Sequence, residues 1–369
     1  MADARRHFLD QIRQDGVALT PELATAFAAV PRELFVPEGF HRRDGSRVEP
    51  DDPRFLDAVY RNDVLVTKLH GDVPISSSSQ PSLMAVMLAA LDVRPGMRVL
   101  EIGAGTGYNA ALMATLGATV TSVDVQEDVA SRARSALARA GIAGVRIVAG
   151  DGYRGLPEDD FRYDRIVVTV GIAGLSPHWF EQLTPDGLVL APVEHAGHHP
   201  VLAARPGDPM DATVVCPSGF MSAAGPLGAR HAGSHPPSAG VLPDLTETAP
   251  PRWTSPLDTA MFRDLWYAAG AWHRRATLAA LPGREQVHLA LLDETGTGGA
   301  VVLPDGSILA GGAEADRYTA VATALIDRWS RLGRPPMRAW RVGLGLDGDP
   351  AAPIWVPRVW RLAQGRAPR

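Results

Sequence analysis

Three glycines at alternate positions, Gly103, Gly105 and Gly107, lie between an apolar run, MRVLEI, and a small-residue stretch that opens at Tyr108. Glycines so spaced let a backbone bend tightly and meet a ligand with no Cβ in the way. A helix starting just behind them adds unpaired N–H groups and the positive end of its dipole. Together these make a nucleotide-type site at the carboxyl edge of a first parallel strand. Asp124 closes a second apolar strand, ATVTSVDV, 21 residues past Gly103. A carboxylate there can accept hydrogen bonds from ribose hydroxyls. A third run, VRIVAG, leads through Gly150 to Asp151 and Gly152, and a fourth, YDRIVVT, ends in Thr169. The spacing excludes a dinucleotide fingerprint, G-x-G-x-x-G, because its last glycine would fall on Tyr108.

The elements that must position these residues are strands alternating with helices. With 369 residues the chain can bury one large core or two modest ones. Its 46% hydrophobic and 21% charged content is that of a globular protein. A net charge of −5 gives no support to bulk nucleic-acid binding. No apolar run approaches the length of a membrane span, the N-terminus has no apolar signal core, and the single cysteine, Cys216, excludes an internal disulfide. Hence the expectation is a cytoplasmic protein with no membrane or nucleic-acid partner; its oligomeric state is not legible. Residues 5–15 and 21–29 have helical spacing, and Thr20-Pro21 is a helix start. Ser79 and Pro81 read as a cap for an amphipathic helix over 83–91.

The glycine stretch, E-x-G-x-G-x-G, resembles motif I of class I S-adenosylmethionine methyltransferases. Asp124, Asp151 and the 163–169 run then fall where that family has its later motifs. Two further stretches are similar to protein-L-isoaspartate O-methyltransferases: Val30-Pro31-Arg32-Glu33-Leu34-Phe35-Val36-Pro37, and the Ser-Gln-Pro run just upstream of motif I. Those enzymes carry Thr-Ile-Ser before the proline step; here Ser77, Ser78 and Ser79 stand in those places, ahead of Gln80-Pro81. This serine-rich variant looks more like an actinobacterial branch attached to ribosomal peptide pathways (lanthipeptides, lasso peptides, graspetides).

The resemblance implies an α/β fold with a Rossmann-like doubly wound sheet, S-adenosylmethionine as cofactor, and a peptide or protein substrate bearing aspartate or isoaspartate. It assigns Ser79 to the acceptor carboxylate. It assigns Ser78, Gln80, Glu101, Gly103, Ala104, Gly105, Gly107, Asn109, Asp124, Val125, Gly150, Asp151, Gly152 and Thr169 to the cofactor, and no metal. The absence of an obvious catalytic base fits, since a carboxylic acid is about 99.9% ionised at neutral pH. The expected activity is methylation of an aspartate in a modified ribosomal peptide, the ester collapsing to aspartimide; the alternative is isoaspartate repair.

The resemblance covers about residues 5–205, and 1–205 read as the methyltransferase domain. Residues 206–255, rich in Gly and Pro, read as a connector, and 256–369 as a C-terminal α+β unit. Seven of eight tryptophans lie between Trp253 and Trp360, and from Arg328 onward nine arginines face two acids. That unit reads either as a Trp-packed core with a solvated arginine surface or as a docking surface for an acidic peptide. His178 reads as surface packing or a substrate contact. In the cluster His195, His198, His199 the only acid nearby is Glu194, which as the direct neighbour of His195 would point the other way along a strand, against a metal site.

Overall fold

The computed structural model describes residues 2–207, 210–228, 242, 244–284 and 286–363. The chain opens with α1 (Ala2–Gln14) and α2 (Pro21–Ala29). Thr20 caps α2, its hydroxyl accepting from the Leu23 amide at 3.3 Å, with Pro21 in the first turn. A 3₁₀ turn over Arg32–Phe35 follows, then β1 (Phe40–His41), β2 (Arg47–Val48), α3 (Phe55–Val59), β3 (Leu65–His70) and β4 (Val73–Ser78). These four strands form a small sheet in the order β2-β1-β3-β4.

Next come α4 (Pro81–Leu91), β5 (Arg98–Ile102), α5 (Tyr108–Thr115), β6 (Thr119–Asp124), α6 (Glu127–Arg139), β7 (Val145–Ala149) and β8 (Tyr163–Val168). After α7 (Pro177–Glu181) follow β9 (Leu183–Pro192), β10 (Val201–Ala204) and β11 (Asp211–Cys216). The helix expected at 83–91 begins at Pro81, but Gln80 holds the cap position and gives no side-chain cap bond.

The C-terminal part holds β12 (Thr246–Ala249), α8 (Thr259–Trp272), β13 (Ala276–Ala280), β14 (Val287–Leu292), β15 (Gly299–Val302), β16 (Ile308–Gly311) and α9 (Ala315–Arg331). It ends in a long hairpin, β17 (Trp340–Asp349) and β18 (Ala352–Leu362). The run 258–281, helical by its spacing, is helix only to Trp272. The chain then reverses, and Ala276–Ala280 pair with β14.

Nine strands make the central sheet, in the order β18-β17-β11-β10-β9-β8-β5-β6-β7. From β7 to β9 the pairing is parallel, and order reverses about β5, giving the doubly wound core. Beyond β9 every pair is antiparallel. The sheet therefore runs across the boundaries expected at 205 and 255. The stretch read as a connector supplies β11, and the C-terminal unit returns β17 and β18 to the same sheet. Residues 229–241 of that stretch lie outside the described residues.

Period-two alternation sends successive side chains to opposite faces. Val99, Val167 and Leu190 enter a core shared with Phe8 and Phe27 of the N-terminal helices. Leu100, Ile166, Val168 and Val189 enter another, shared with Trp266, Trp329 and Trp340. Parallel strands need both faces covered. Here the second cover is largely the C-terminal part, which also has its own antiparallel sheet, β12-β16-β15-β14-β13. Its tryptophans are buried or packed against this core, and Arg328 stacks 4.2 Å from the Trp272 ring. Among the described residues, no helix is long and apolar enough to cross a membrane.

Candidate active site

The order reversal at β5 leaves a crevice outside the carboxyl ends of β5, β6, β7 and β8, and the glycine loop fills its floor. Gly103, Gly105 and Gly107 have φ of +99°, +51° and +83°, a region that side chains rarely adopt. Space is as restrictive as conformation. A Cβ on Gly103 would lie 2.7 Å from Thr169 Oγ1, and one on Gly105 would lie 3.0 Å from the Ser77 carbonyl. The Gly103 amide donates to Val123 O at 2.8 Å, and Thr169 Oγ1 donates to Gly103 O at 2.6 Å. Thr169 thus locks the turn from the end of the neighbouring strand. Ala104, buried at the turn, accepts from the Gly107 amide at 2.8 Å.

Asp124 meets the loop from β6. Its Oδ2 accepts from the Gly105 amide and its Oδ1 from the Gln126 amide, both at 3.0 Å. A carboxylate has about four acceptor positions, so roughly two remain for hydroxyls of a ligand. Burial pushes its pKa above the usual range, and the main-chain donors oppose that push. Next to it Val125 is 61% exposed, an uncovered aliphatic surface at the crevice. Gly150 has open space where a Cβ would be, and Asp151 is exposed, accepting from the Tyr153 amide at 2.9 Å. Gly152 is buried and belongs to the wall: a Cβ there would strike Ile102 Cγ2 at 2.5 Å.

Two more of the residues assigned to the cofactor, Glu101 and Asn109, bond to each other beneath the loop. Glu101 is fully buried beneath the loop, where Ser122 Oγ donates to it at 2.6 Å and Asn109 Nδ2 at 2.7 Å. From β5 it braces the floor and holds Asn109 with it. Burial raises its pKa to about 7.

Above the loop lies the hairpin β3–β4. The chain's sole lysine, Lys68, pins it to α6, donating to Gln126 Oε1 at 2.8 Å and to both Asp128 oxygens at 2.7 Å. Ser76 and Ser78 point inward on β4, and the Ser78 hydroxyl is buried with no partner. Ser79 follows at the strand end, half-buried. Gln80 turns to the surface side, accepting from Arg43 at 3.3 Å. A cleft of about 190 Å³, open to solvent, runs beside the loop between Thr67, Ser76, Gly105, Thr106, Arg132 and Arg139.

Arg32, inside the Val-Pro-Arg-Glu run and without a role in the sequence reading, reaches the Ser79 carbonyl with its guanidinium at 3.1 Å. His178 pairs with Glu181 at 3.3 Å and meets Tyr153 edge-on. His195 is buried, bonded to Tyr267 O at 2.8 Å and set against the Tyr267 and Trp360 rings. Among the described residues no group of histidines, cysteines and acids could hold a metal.

Residues 3–210 match the profile of the family described as protein-L-isoaspartate(D-aspartate) O-methyltransferase. A protein-L-isoaspartate O-methyltransferase of Thermotoga maritima is 39% identical over 178 residues, covering 47% of this chain and 51% of that one. This chain therefore spans about half of that relative's length. One from Methanoculleus marisnigri is 39% identical over 186 residues, covering 50% of this chain and 73% of its own. A solved protein-L-isoaspartate O-methyltransferase aligns with 96% of this chain and 99% of its own at a TM-score of 0.55 and 27% identity.

Proposed function

This chain belongs to the protein-L-isoaspartate(D-aspartate) O-methyltransferase family, and from that membership we propose that it is an S-adenosylmethionine-dependent methyltransferase of isoaspartyl carboxylates in polypeptides. The observation that carries the reading is the family match over residues 3–210, joined to a glycine cradle in which a side chain at Gly103 or Gly105 would collide.

The residues fit the cofactor. Asp124, with acceptor capacity left after its two main-chain bonds, would take the ribose hydroxyls. Val125 and the exposed Asp151 would take the two aspects of the adenine, its face and its amine. Gly103, Ala104, Gly105 and Gly107 leave room for the methionine end. S-adenosylmethionine supplies an electrophilic methyl group on a sulfonium. The acceptor carboxylate is already ionised at neutral pH. Ser79 would hold it by hydrogen bonding, in line with the carbon–sulfur bond that breaks as the carbon–oxygen bond forms. Positioning then contributes most of the rate.

A narrower reading, methylation of a normal aspartate in a ribosomally made peptide with collapse to aspartimide, draws on the Ser76–Ser79 run and on the C-terminal part as a peptide-docking surface. The second of these supports has weakened. A solved isoaspartate methyltransferase spans nearly the whole chain, so an extension of this size is not peculiar to tailoring enzymes. Intact-mass analysis with S-adenosylmethionine separates the readings. Addition of one methyl to a generic isoaspartyl peptide is the expected result. Methylation confined to a cyclised aspartate peptide would replace it with the narrower reading, and no methylation of either would overturn both.

A further inference from the structure

Arg32 is a fully buried cation that the proposed chemistry does not use. Nη1 donates to Val59 O (2.9 Å) and Arg61 O (3.0 Å), and Nη2 donates to Asp63 O (3.0 Å) and Ser79 O (3.1 Å). All four acceptors are main-chain carbonyls. Its flanks are the rings of Phe8 (5.8 Å) and Tyr108 (5.7 Å), the latter opening the helix behind the glycine loop. Burial holds the guanidinium pKa down at about 10, so it stays charged at neutral pH.

A buried charge bonded only to neutral carbonyls is a poor stabiliser, because desolvation opposes it and an apolar side chain would fill the space as well. What an apolar side chain cannot do is fix four carbonyls from two segments in one plane, which the guanidinium fork does. A second link runs parallel to it: Asn62 Oδ1 accepts from the Ser82 amide at 3.0 Å, and the Asn62 amide donates to Gln11 at 3.0 Å. Both links join residues 59–63 of the N-terminal extension, the segment ahead of β3 that carries α1, α2 and α3, to 79–82, the turn carrying Ser79.

We infer that Arg32, with Asn62, forms a clamp that sets the position of Ser79 for the acceptor carboxylate, so that the N-terminal extension acts as part of the acceptor site. This rests on the assignment of Ser79 above. Arg32 is thus a positioning residue, and its effect must pass through Ser79.

The test is a double-mutant cycle on methylation of an isoaspartyl peptide, with cofactor binding measured by calorimetry. Arg32→Lys should lower kcat/KM for the peptide at least tenfold while the cofactor Kd stays within about twofold. Arg32→Lys/Ser79→Ala should be no slower than Ser79→Ala alone. Additive losses, or equal loss of cofactor binding, would mean a structural role and overturn the clamp. Ser79→Ala with wild-type turnover would instead overturn the role of Ser79, and the clamp with it. If Arg32→Lys fails to fold, Asn62→Ala carries the same cycle: a smaller loss in kcat/KM, again absent on the Ser79→Ala background, is expected, and an additive one refutes the clamp.

Discussion

Glu101 lies directly under the glycine loop, fully buried, with a pKa raised from 4.5 to about 7. Such a displacement corresponds to about 3 kcal/mol of difference between its protonated and ionised forms in the folded state. The sign follows from proton binding. Between pH about 4.5 and 7 the folded chain holds a proton that the unfolded chain has released, so stability falls as pH rises across that window. The contribution is present in full below pH 4.5 and gone above about pH 7. Glu101→Gln keeps the shape and is neutral throughout. Its amide oxygen can keep the bond from Asn109 Nδ2. Urea unfolding of both proteins at pH 5, 6, 7 and 8 should therefore show the variant gaining on the native chain by about 2 to 3 kcal/mol from pH 5 to pH 8, the rest of the displacement lying below pH 5. Cofactor affinity should change little, because this carboxyl faces Ser122 and Asn109. A stability difference that does not vary with pH would refute the raised pKa. A large loss of cofactor affinity would refute the bracing role.

Gly103→Ala combines a φ of +99° with a 2.7 Å approach to Thr169 Oγ1; it should cost about 2 kcal/mol of stability and abolish cofactor binding, read by thermal unfolding and calorimetry. Deleting β17 and β18 by ending the chain after Gly333 should give insoluble or molten protein, since Trp340, Val342 and Ile354 leave the core; a soluble, cooperatively unfolding product would show the hairpin to be dispensable.

The glycine loop and its partner strands were legible because their information is local. Each strand end, Asp124, Asp151 and Thr169, follows an apolar run of its own, and the glycines are required by conformations they alone adopt freely. Glu101 was assigned to the cofactor through the motif it opens; its burial beneath the loop and its bonds to Ser122 and Asn109 come from strands distant in sequence, which the motif does not register. Arg32 escaped because its partners are carbonyls, which no side-chain pattern marks. The sheet crosses the positions 205 and 255 for another reason. Composition registers Gly and Pro density, but β11 is a strand through its pairing with β10 and β17, and neither pairing leaves a trace in β11 itself.

The union of β11 with β17 also sets a schedule. During synthesis β11 emerges with one edge bare, and its partner follows roughly 120 residues later. At about 5–20 residues per second that edge waits on the order of 6–25 seconds on the ribosome. For that interval the sheet ends in an open ladder of amides and carbonyls, and half of its apolar surface lacks a cover. The nascent chain must be kept from pairing with its neighbours until the last hairpin arrives, so its yield in a cell will depend on translation speed and chaperone supply as well as on final stability.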